Sequence, residues 1–123
     1  MAVLDTSVII EIARGNRKAL NAVLSEDNYF YITSITWFEI KVGAPKLAEL
    51  NLVDSLECLS FDRKSADVAA EIYIKLKKDG KMVSLKDLFI GAICISNKEK
   101  LITMDSDFEI LRDFGLEVVF IKQ

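Results

Sequence analysis

Short apolar runs alternate along the chain with segments in which apolar residues recur every three or four positions. The runs are typical of strands buried in a parallel sheet, and we predict five of them, at residues 2–4, 29–32, 58–61, 101–103 and 118–121. The segments between them predict helices. Strands and helices that alternate in this way favour an α/β fold in which helices cover both faces of a central parallel sheet.

Several helix boundaries can be predicted from local signals. A helix over residues 35–42 stops before Pro45, because proline disfavours helical backbone in the residue before it. Asp62 is predicted to cap a long helix that ends at Gly80. The segment 85–95 has apolar residues nearly all the way round the helix, so we expect it to pack centrally against the sheet.

Length and composition indicate one folded domain that spans residues 1–123. Hydrophobic residues make up 51% of the chain and charged residues 28%, with a single proline, which excludes a disordered or repetitive chain. The longest apolar run, residues 88–95, is far shorter than the roughly 18 residues needed to cross a bilayer. Asp5 stands where a signal peptide would have basic residues. We therefore expect a soluble, cytoplasmic protein without a membrane segment.

The residue types that are missing narrow the chemistry. The sequence has no histidine, and its two cysteines, Cys58 and Cys94, are far apart, which excludes a Ser-His-Asp triad and the usual zinc sites. Any metal would be bound by oxygen, which favours Mg²⁺ or Mn²⁺. The formal net charge of −3 argues against DNA wrapping by bulk positive charge, although an acidic chain can still bind nucleic acid through metal ions.

Three aspartates follow predicted strands. Asp5 ends the first strand, and Asp105 and Asp107 come directly after the fourth. The carboxyl ends of parallel strands are where open α/β sheets bind ligands. Taken alone, each of these residues is better explained as a helix cap, a role that Thr6 or Ser7 could also fill after the first strand, and both interpretations stay open at this point.

Two further carboxylates border apolar helix faces. Asp87 lies in the first turn of the most apolar helix, on a face that it shares with Gly91 and Cys94. Favourable interaction with the helix dipole would also explain it. Glu39 lies at the margin of the apolar face of its own helix. The alternative interpretation is that it is an ordinary surface glutamate without a role in a site.

Five such acids would repel one another if they met in one place, unless cations compensated their charge. Convergence would therefore imply a metal site. Two Mg²⁺ or Mn²⁺ ions about 3.5–4 Å apart would activate a water and stabilise a phosphoryl group and its leaving oxygen, a chemistry that needs no histidine.

Four motifs around these acids resemble those of the PIN-domain ribonucleases, and within them the VapC-type toxins of prokaryotic toxin–antitoxin pairs. The motifs are at residues 3–7, 36–39, 87–92 and 103–108, and their acids are spaced by 34, 48 and 18 positions. Each motif alone is weak, but the four in this order give a strong joint signal over almost the whole chain. Gly91 departs from the alanine common in the family, and Trp37 is bulkier than usual; neither departure changes an acidic residue.

The resemblance implies a three-layer α/β/α PIN-like fold and a divalent-metal-dependent endoribonuclease that hydrolyses RNA phosphodiester bonds with one or two Mg²⁺ or Mn²⁺ ions. It also implies a homodimer and inhibition by a cognate antitoxin protein. By this resemblance, Asp5, Asp87 and Asp105 would be metal ligands, and Glu39 a ligand or the residue that orients bound water. The supporting roles fall to Asp107, as a ligand of a second ion, and to Thr6 and Thr103, which would orient the carboxylates or merely cap helices.

A cation is also needed along the RNA backbone. We expect Lys86, next to Asp87, or Arg14, after the first helix, to contact a phosphate near the metal ions. Trp37 is either a core residue or an exposed anchor for the antitoxin or a second subunit.

Two other functions fit parts of the pattern. A receiver-like signalling domain has a similar length and alternation, and Asp62 could be its phospho-accepting residue. Such domains also have a pair of acids after the first strand, whereas Asp5 is followed by Thr6. The other alternative is a PIN-like RNA-binding scaffold without catalysis, against which the intact set of acids argues.

Overall fold

The strands form one parallel sheet in the computed structural model, which describes residues 1–122. In chain order they are β1 (Ala2–Leu4), β2 (Phe30–Thr33), β3 (Glu57–Leu59), β4 (Lys100–Thr103) and β5 (Val118–Phe120). Their order across the sheet is β3-β2-β1-β4-β5, and every neighbouring pair is parallel. The predicted α/β fold with a parallel sheet of about five strands is confirmed.

Helices connect these strands. They are α1 (Thr6–Ala13), α2 (Arg17–Glu26), α3 (Ser34–Gly43), α4 (Pro45–Ala48), α5 (Asn51–Asp54), α6 (Arg63–Lys78) and α7 (Leu85–Asn97), with a 3-10 helix at Ser106–Phe114 before β5. The predicted cap of α6 is confirmed, because the Asp62 side chain accepts a hydrogen bond from the backbone N–H of Ser65. None of these helices is long and apolar enough to cross a membrane.

Two expectations about these elements are corrected by the structure. The helices α4 and α5 were not predicted, because four residues are too few to establish a hydrophobic period, and the 3-10 helix was not predicted, because its turn of three residues differs from the period of an α-helix. The third predicted strand, residues 58–61, was expected to be buried on both sides. It lies at the edge of the sheet, where Glu57 and Cys58 are exposed, because only β2 pairs with it.

The sheet separates two apolar clusters. Val3 and Leu101 point to one face of the sheet, whereas Leu4 and Ile102 point to the other, as the two-residue period of a strand requires. Helix α7 packs in the same cluster as Val3 and is buried over most of its length. Its predicted central position against the sheet is confirmed.

A close approach between α7 and the 3-10 helix depends on Gly91. A Cβ atom built on Gly91 would lie 2.5 Å from Cδ1 of Leu111, closer than packed carbon atoms approach. The glycine thus allows the 3-10 helix to lie directly against α7. This contact accounts for a residue without a side chain at this position.

The carboxyl ends of β1 and β4 form a crevice. These neighbouring strands continue in opposite directions across the sheet, β1 towards β2 and β4 towards β5, and such a switch point is where open α/β sheets bind ligands. Leu4 is paired with Ile102, and the N–H of Asp5 donates to the carbonyl of Ile102 at 3.0 Å. Asp5 and the residues after β4 are therefore held at the same edge.

Candidate functional site

Three carboxylates meet beside this crevice. One oxygen each of Asp87, Asp105 and Asp107 lie within 4.8 Å of one another. Asp87 comes from the first turn of α7, Asp105 from the end of β4 and Asp107 from the start of the 3-10 helix. We refer to these three residues as the carboxylate cluster, which is a group of oxygen ligands able to hold a metal ion.

Local hydrogen bonds fix two members of the cluster. The N–H of Asp107 donates to Oδ1 of Asp105 at 2.9 Å, so Asp105 does cap the 3-10 helix, as its alternative interpretation expected. Asp87 has no such role, because the cap of α7 is Ser84, whose hydroxyl accepts from the N–H of Asp87 at 3.2 Å. Asp105 thus caps a helix and also belongs to the carboxylate cluster, whereas the carboxylate of Asp87 caps no helix.

Asp5 is only 5% exposed, and its charge acts on Asp87 of the carboxylate cluster. It occupies the position of a cap for α1, but its side chain makes no capping hydrogen bond. Instead, the hydroxyls of Thr103 and Ser7 both donate to its Oδ2, at 2.7 and 3.0 Å. Because both hold the same oxygen, Oδ1 is the oxygen that can meet a ligand.

Glu39 is held from two sides. The Thr6 hydroxyl lies 2.9 Å from Oε1 of Glu39 and donates to it, and the ammonium group of Lys86 lies 3.5 Å from Oε2. The Thr6 hydroxyl also reaches that of Thr36, at 3.1 Å. Glu39, which is one turn beyond Thr36 on α3, is therefore oriented by α1 and by the first turn of α7.

The charges of these acids act on one another. The pKa of Asp87 is raised to about 6, chiefly by burial; a hydrogen bond from Ser84 lowers it, and the neighbouring charges of Asp105, Asp5 and Asp107 also raise it. Burial is also the main cause of the raised pKa of Asp5, to which the charge of Glu39 contributes. The site disfavours its own negative charge, which a bound cation would relieve. All five predicted acids contribute to the electrostatics of this one site.

The donors fit a hard cation. Every candidate ligand here is a carboxylate oxygen, the ligand type that Mg²⁺ and Mn²⁺ prefer. The buried hydroxyls beside Asp5 orient one carboxylate without adding a charge. The residues of the site therefore fit a divalent ion, both in the type of ligand atom and in the charge that the ion would compensate.

One contributor was missed at the sequence level. The Ser7 hydroxyl not only donates to Asp5 but accepts a hydrogen bond from the N–H of Met104 at 3.2 Å, which ties the start of α1 to the end of β4. Ser7 lies in the first motif, and the only role considered for it was helix capping. Met104 is 97 positions away, and no local signal identifies it as a partner of Ser7.

Two residues to which the sequence assigned other roles, Arg14 and Trp37, are not part of the carboxylate cluster. Arg14 follows the last turn of α1, and its guanidinium lies 3.7 Å from Glu11. Asp5 and Arg14 are the residues that flank α1 at its start and its end, so the whole length of this helix separates them. Trp37 is partly buried and packs against the apolar cluster that contains Ile40, and the Lys41 ammonium lies 5.9 Å from its ring centroid.

Comparison with known protein sequences gives close matches. The sequence profile of one family, described as PIN domain, matches residues 2–113. "Ribonuclease VapC3" of Methanocaldococcus jannaschii is 51% identical over 92 residues, which cover 75% of this chain and 96% of that protein. "Ribonuclease VapC5" of Mycobacterium tuberculosis is 34% identical over 119 residues, 89% of this chain and 86% of that protein.

Solved structures match the fold along nearly the whole chain. VapBC-5 from Mycobacterium tuberculosis, described as a member of the VapBC family of toxin–antitoxin systems, has a TM-score of 0.71 and 28% identity, and the match covers 99% of this chain and 98% of that one. VapBC-1 from nontypeable Haemophilus influenzae has a TM-score of 0.80 at 20% identity, with 97% and 96% covered. The second likeness concerns the fold alone.

Proposed function

The chain belongs to the PIN-domain family, and from this premise we propose that it is a VapC-type ribonuclease that hydrolyses RNA phosphodiester bonds with a divalent cation. The observation that carries the proposal is the carboxylate cluster beside the switch point of the sheet, where the charge of the buried Asp5 also acts on Asp87. The name of the relative from Methanocaldococcus jannaschii supports the same activity.

The acids of the site would hold the ion. We assign Asp5, through Oδ1, with Asp87 and Asp105 as metal ligands, Asp107 as a supporting ligand, and Glu39 as a further ligand or as the residue that orients the attacking water. When bound, a divalent cation supplies a water nucleophile at neutral pH and neutralises charge that develops on the phosphoryl group. The oxygen ligands suit either Mg²⁺ or Mn²⁺, one or two ions.

The hydroxyl groups around these acids have positioning roles in the proposal. Thr103 and Ser7 fix Oδ2 of Asp5, so that its other oxygen keeps one direction. Thr6 fixes Oε1 of Glu39, which is the requirement for a carboxylate that orients a water. The contacts of Thr103 with Asp5 and of Thr6 with Glu39 join segments that are distant in sequence, and the site is thereby organised before any ligand binds.

The toxin role extends the proposal to partners. The solved structure from Mycobacterium tuberculosis belongs to a toxin–antitoxin system, and we propose that the present chain likewise forms a homodimer that a cognate antitoxin protein inhibits. Its place of action would be the cytoplasm, where its RNA substrate is found.

The receiver-like alternative loses its support in the structure. The side chain of Asp62 is engaged as the cap of α6, and it follows the edge strand β3 and not a central strand. The alternative of a scaffold without catalysis predicts RNA binding without cleavage, so the experiment below distinguishes it.

The proposal is tested with the purified chain and its Asp5→Asn variant, each incubated with structured RNAs in Mg²⁺, in Mn²⁺ or in chelator. We expect cleavage by the wild type alone, and only with metal, because Asn at this position lacks the charge that would hold the ion. Cleavage that persists in the variant or in chelator would contradict the proposal. Binding without any cleavage would favour the scaffold.

Lys86 offers a second prediction. Its ammonium group lies beside Glu39 and next in sequence to Asp87, so we propose that it contacts a substrate phosphate near the ion. Lys86→Met should weaken RNA binding and lower the slope of log affinity against log salt by about one unit. Fluorescence anisotropy with a labelled RNA measures both quantities.

Arg14 provides the comparison for Lys86. Because it lies at the far end of α1, paired with Glu11, we expect Arg14→Met to leave both the affinity and the salt slope unchanged. If Lys86→Met were also without effect, the assigned phosphate contact would be wrong.

A further inference from the structure

A cleft opens next to the carboxylate cluster. One wall is the loop at residues 82–84, between α6 and α7, and the other is the outer side of the 3-10 helix, including Asp107 and Glu109. Its volume is about 430 Å³, within the range of small-molecule sites. Asp107 belongs both to this cleft, which we call the side cleft, and to the carboxylate cluster.

The lining of the side cleft indicates what it can receive. Two carboxylates and two serine hydroxyls line it together with the apolar side chains of Met82, Val83 and Ile110, and no lysine or arginine does. Negative charge repels a phosphate, whereas apolar contacts and hydrogen-bond acceptors suit a flat, uncharged ring that carries donors.

We propose that the side cleft receives a nucleobase of the RNA beside the bond that is cut, and that Glu109 selects a base with donors on its Watson–Crick edge, guanine above all. This inference rests on the ribonuclease function proposed above. Beyond that function, it identifies a nucleobase as the part of the RNA that is recognised and Glu109 as the residue that recognises it.

The Glu109 carboxylate is oriented for this role. The Nε–H of Arg112 donates to its Oε2 at 2.9 Å, which leaves Oε1 to meet a ligand. Guanine presents two adjacent donors, N1–H and the 2-amino group, whereas inosine lacks the amino group. A carboxylate therefore distinguishes these two bases through a single missing donor.

A basic surface continues the path beyond the cleft. Met82 and Val83 also border a small hollow that Lys77 and Lys81 line, and none of the three acids of the carboxylate cluster lines it. Both lysines are exposed. With the base in the side cleft, the next stretch of backbone would pass these two cations, which supply the charge that the acidic site lacks.

The test compares matched short RNAs that carry guanosine or inosine at one position, bound to the catalytically inactive Asp5→Asn protein in Mg²⁺ and followed by fluorescence anisotropy. We expect guanosine to be favoured by about tenfold, and the further change Glu109→Gln to remove most of this preference. Glu109 has a side-chain exposure of 61%, so this change leaves the core intact.

Lysine variants in the same background separate base recognition from general affinity. Lys81→Ala should weaken binding of both RNAs alike and lower the salt slope by about one unit, without changing the base preference. Lys98→Asn is the matched control: it removes the same charge at the opposite end of α7 and keeps a residue type that tolerates the left-handed backbone found there, so binding should not change.

Two outcomes would overturn the inference: equal binding of the two RNAs by the Asp5→Asn protein, or a preference that survives Glu109→Gln. The failure of the proposed function looks different. In that case the wild type would not cut RNA in Mg²⁺ or Mn²⁺, whatever base preference the binding assay shows.

Discussion

Asp87→Asn is expected to lower the rate of RNA cleavage by about a thousandfold, because a bound metal contributes several kcal/mol to catalysis and each 1.4 kcal/mol corresponds to tenfold in rate. The substitution keeps the shape of the side chain and removes one charge of the carboxylate cluster. Cleavage of a labelled RNA under single-turnover conditions measures the effect. Asp67→Asn, on the exposed side of α6, is the matched control and should keep the wild-type rate.

In chelator, where no ion compensates the carboxylates, the same variant should be more stable than the wild type at neutral pH. The pKa of Asp87 is about 6 in the folded chain and 3.8 in the reference state, so the fold binds the proton more tightly than the unfolded chain does. The contribution of Asp87 to stability is therefore present in acid and is lost as the pH rises through about 6. Asn removes this penalty, and the melting temperature should rise at pH 7 but change little near pH 4.

Opposite effects on activity and stability are the signature of a functional carboxylate held in an unfavourable place. An Asp87→Asn protein that cuts RNA at the wild-type rate would remove Asp87 from the metal site. One that melts below the wild type at pH 7 would show that the repulsion within the cluster is absent.

Phe108→Ala should lower the free energy of unfolding by about 3–5 kcal/mol, the usual cost of removing a fully buried phenylalanine. Phe108 is 0% exposed and packs in the same apolar cluster as Leu88 and Leu111, directly after Asp107. Chemical denaturation measures the change. The loss should extend to metal binding, because this side chain anchors the segment that carries Asp105 and Asp107.

Tyr29→Ala is the control for this effect, since its side chain is 73% exposed and its removal leaves no cavity. Surface changes of this kind usually alter stability by less than about 0.5 kcal/mol. If Phe108→Ala cost no more than the control, the packing of the 3-10 helix against α7 would be wrong.

Much of the fold could be predicted because its signals are local. The apolar runs identified all five strands, and Asp62 marked the start of α6 by its capping chemistry. The edge position of β3 could not be predicted, because strand order depends on which segments pair and not on the composition of any one of them. The 3-10 helix was missed because its turn differs from the period that was sought.

The sequence identified the acids of the site by their positions at strand ends and on helix faces. It did not identify the residues that form hydrogen bonds and ion pairs with them. Strand ends and a helix face of small residues indicated Asp5, Asp105 and Asp87. The hydrogen bond from the Thr103 hydroxyl to Oδ2 of Asp5 and the ion pair between Lys86 and Glu39 join segments that only the folded chain brings together. These contacts decide which oxygen faces a ligand, and no sequence period encodes them.

The proposed activity requires a divalent ion bound among these carboxylates, and anomalous diffraction from crystals soaked in Mn²⁺ tests this directly. The predicted result is an anomalous peak between the carboxylates of Asp87, Asp105 and Asp107, within reach of Oδ1 of Asp5. A map with no peak there, from protein that cuts RNA in the same Mn²⁺ solution, would contradict the account.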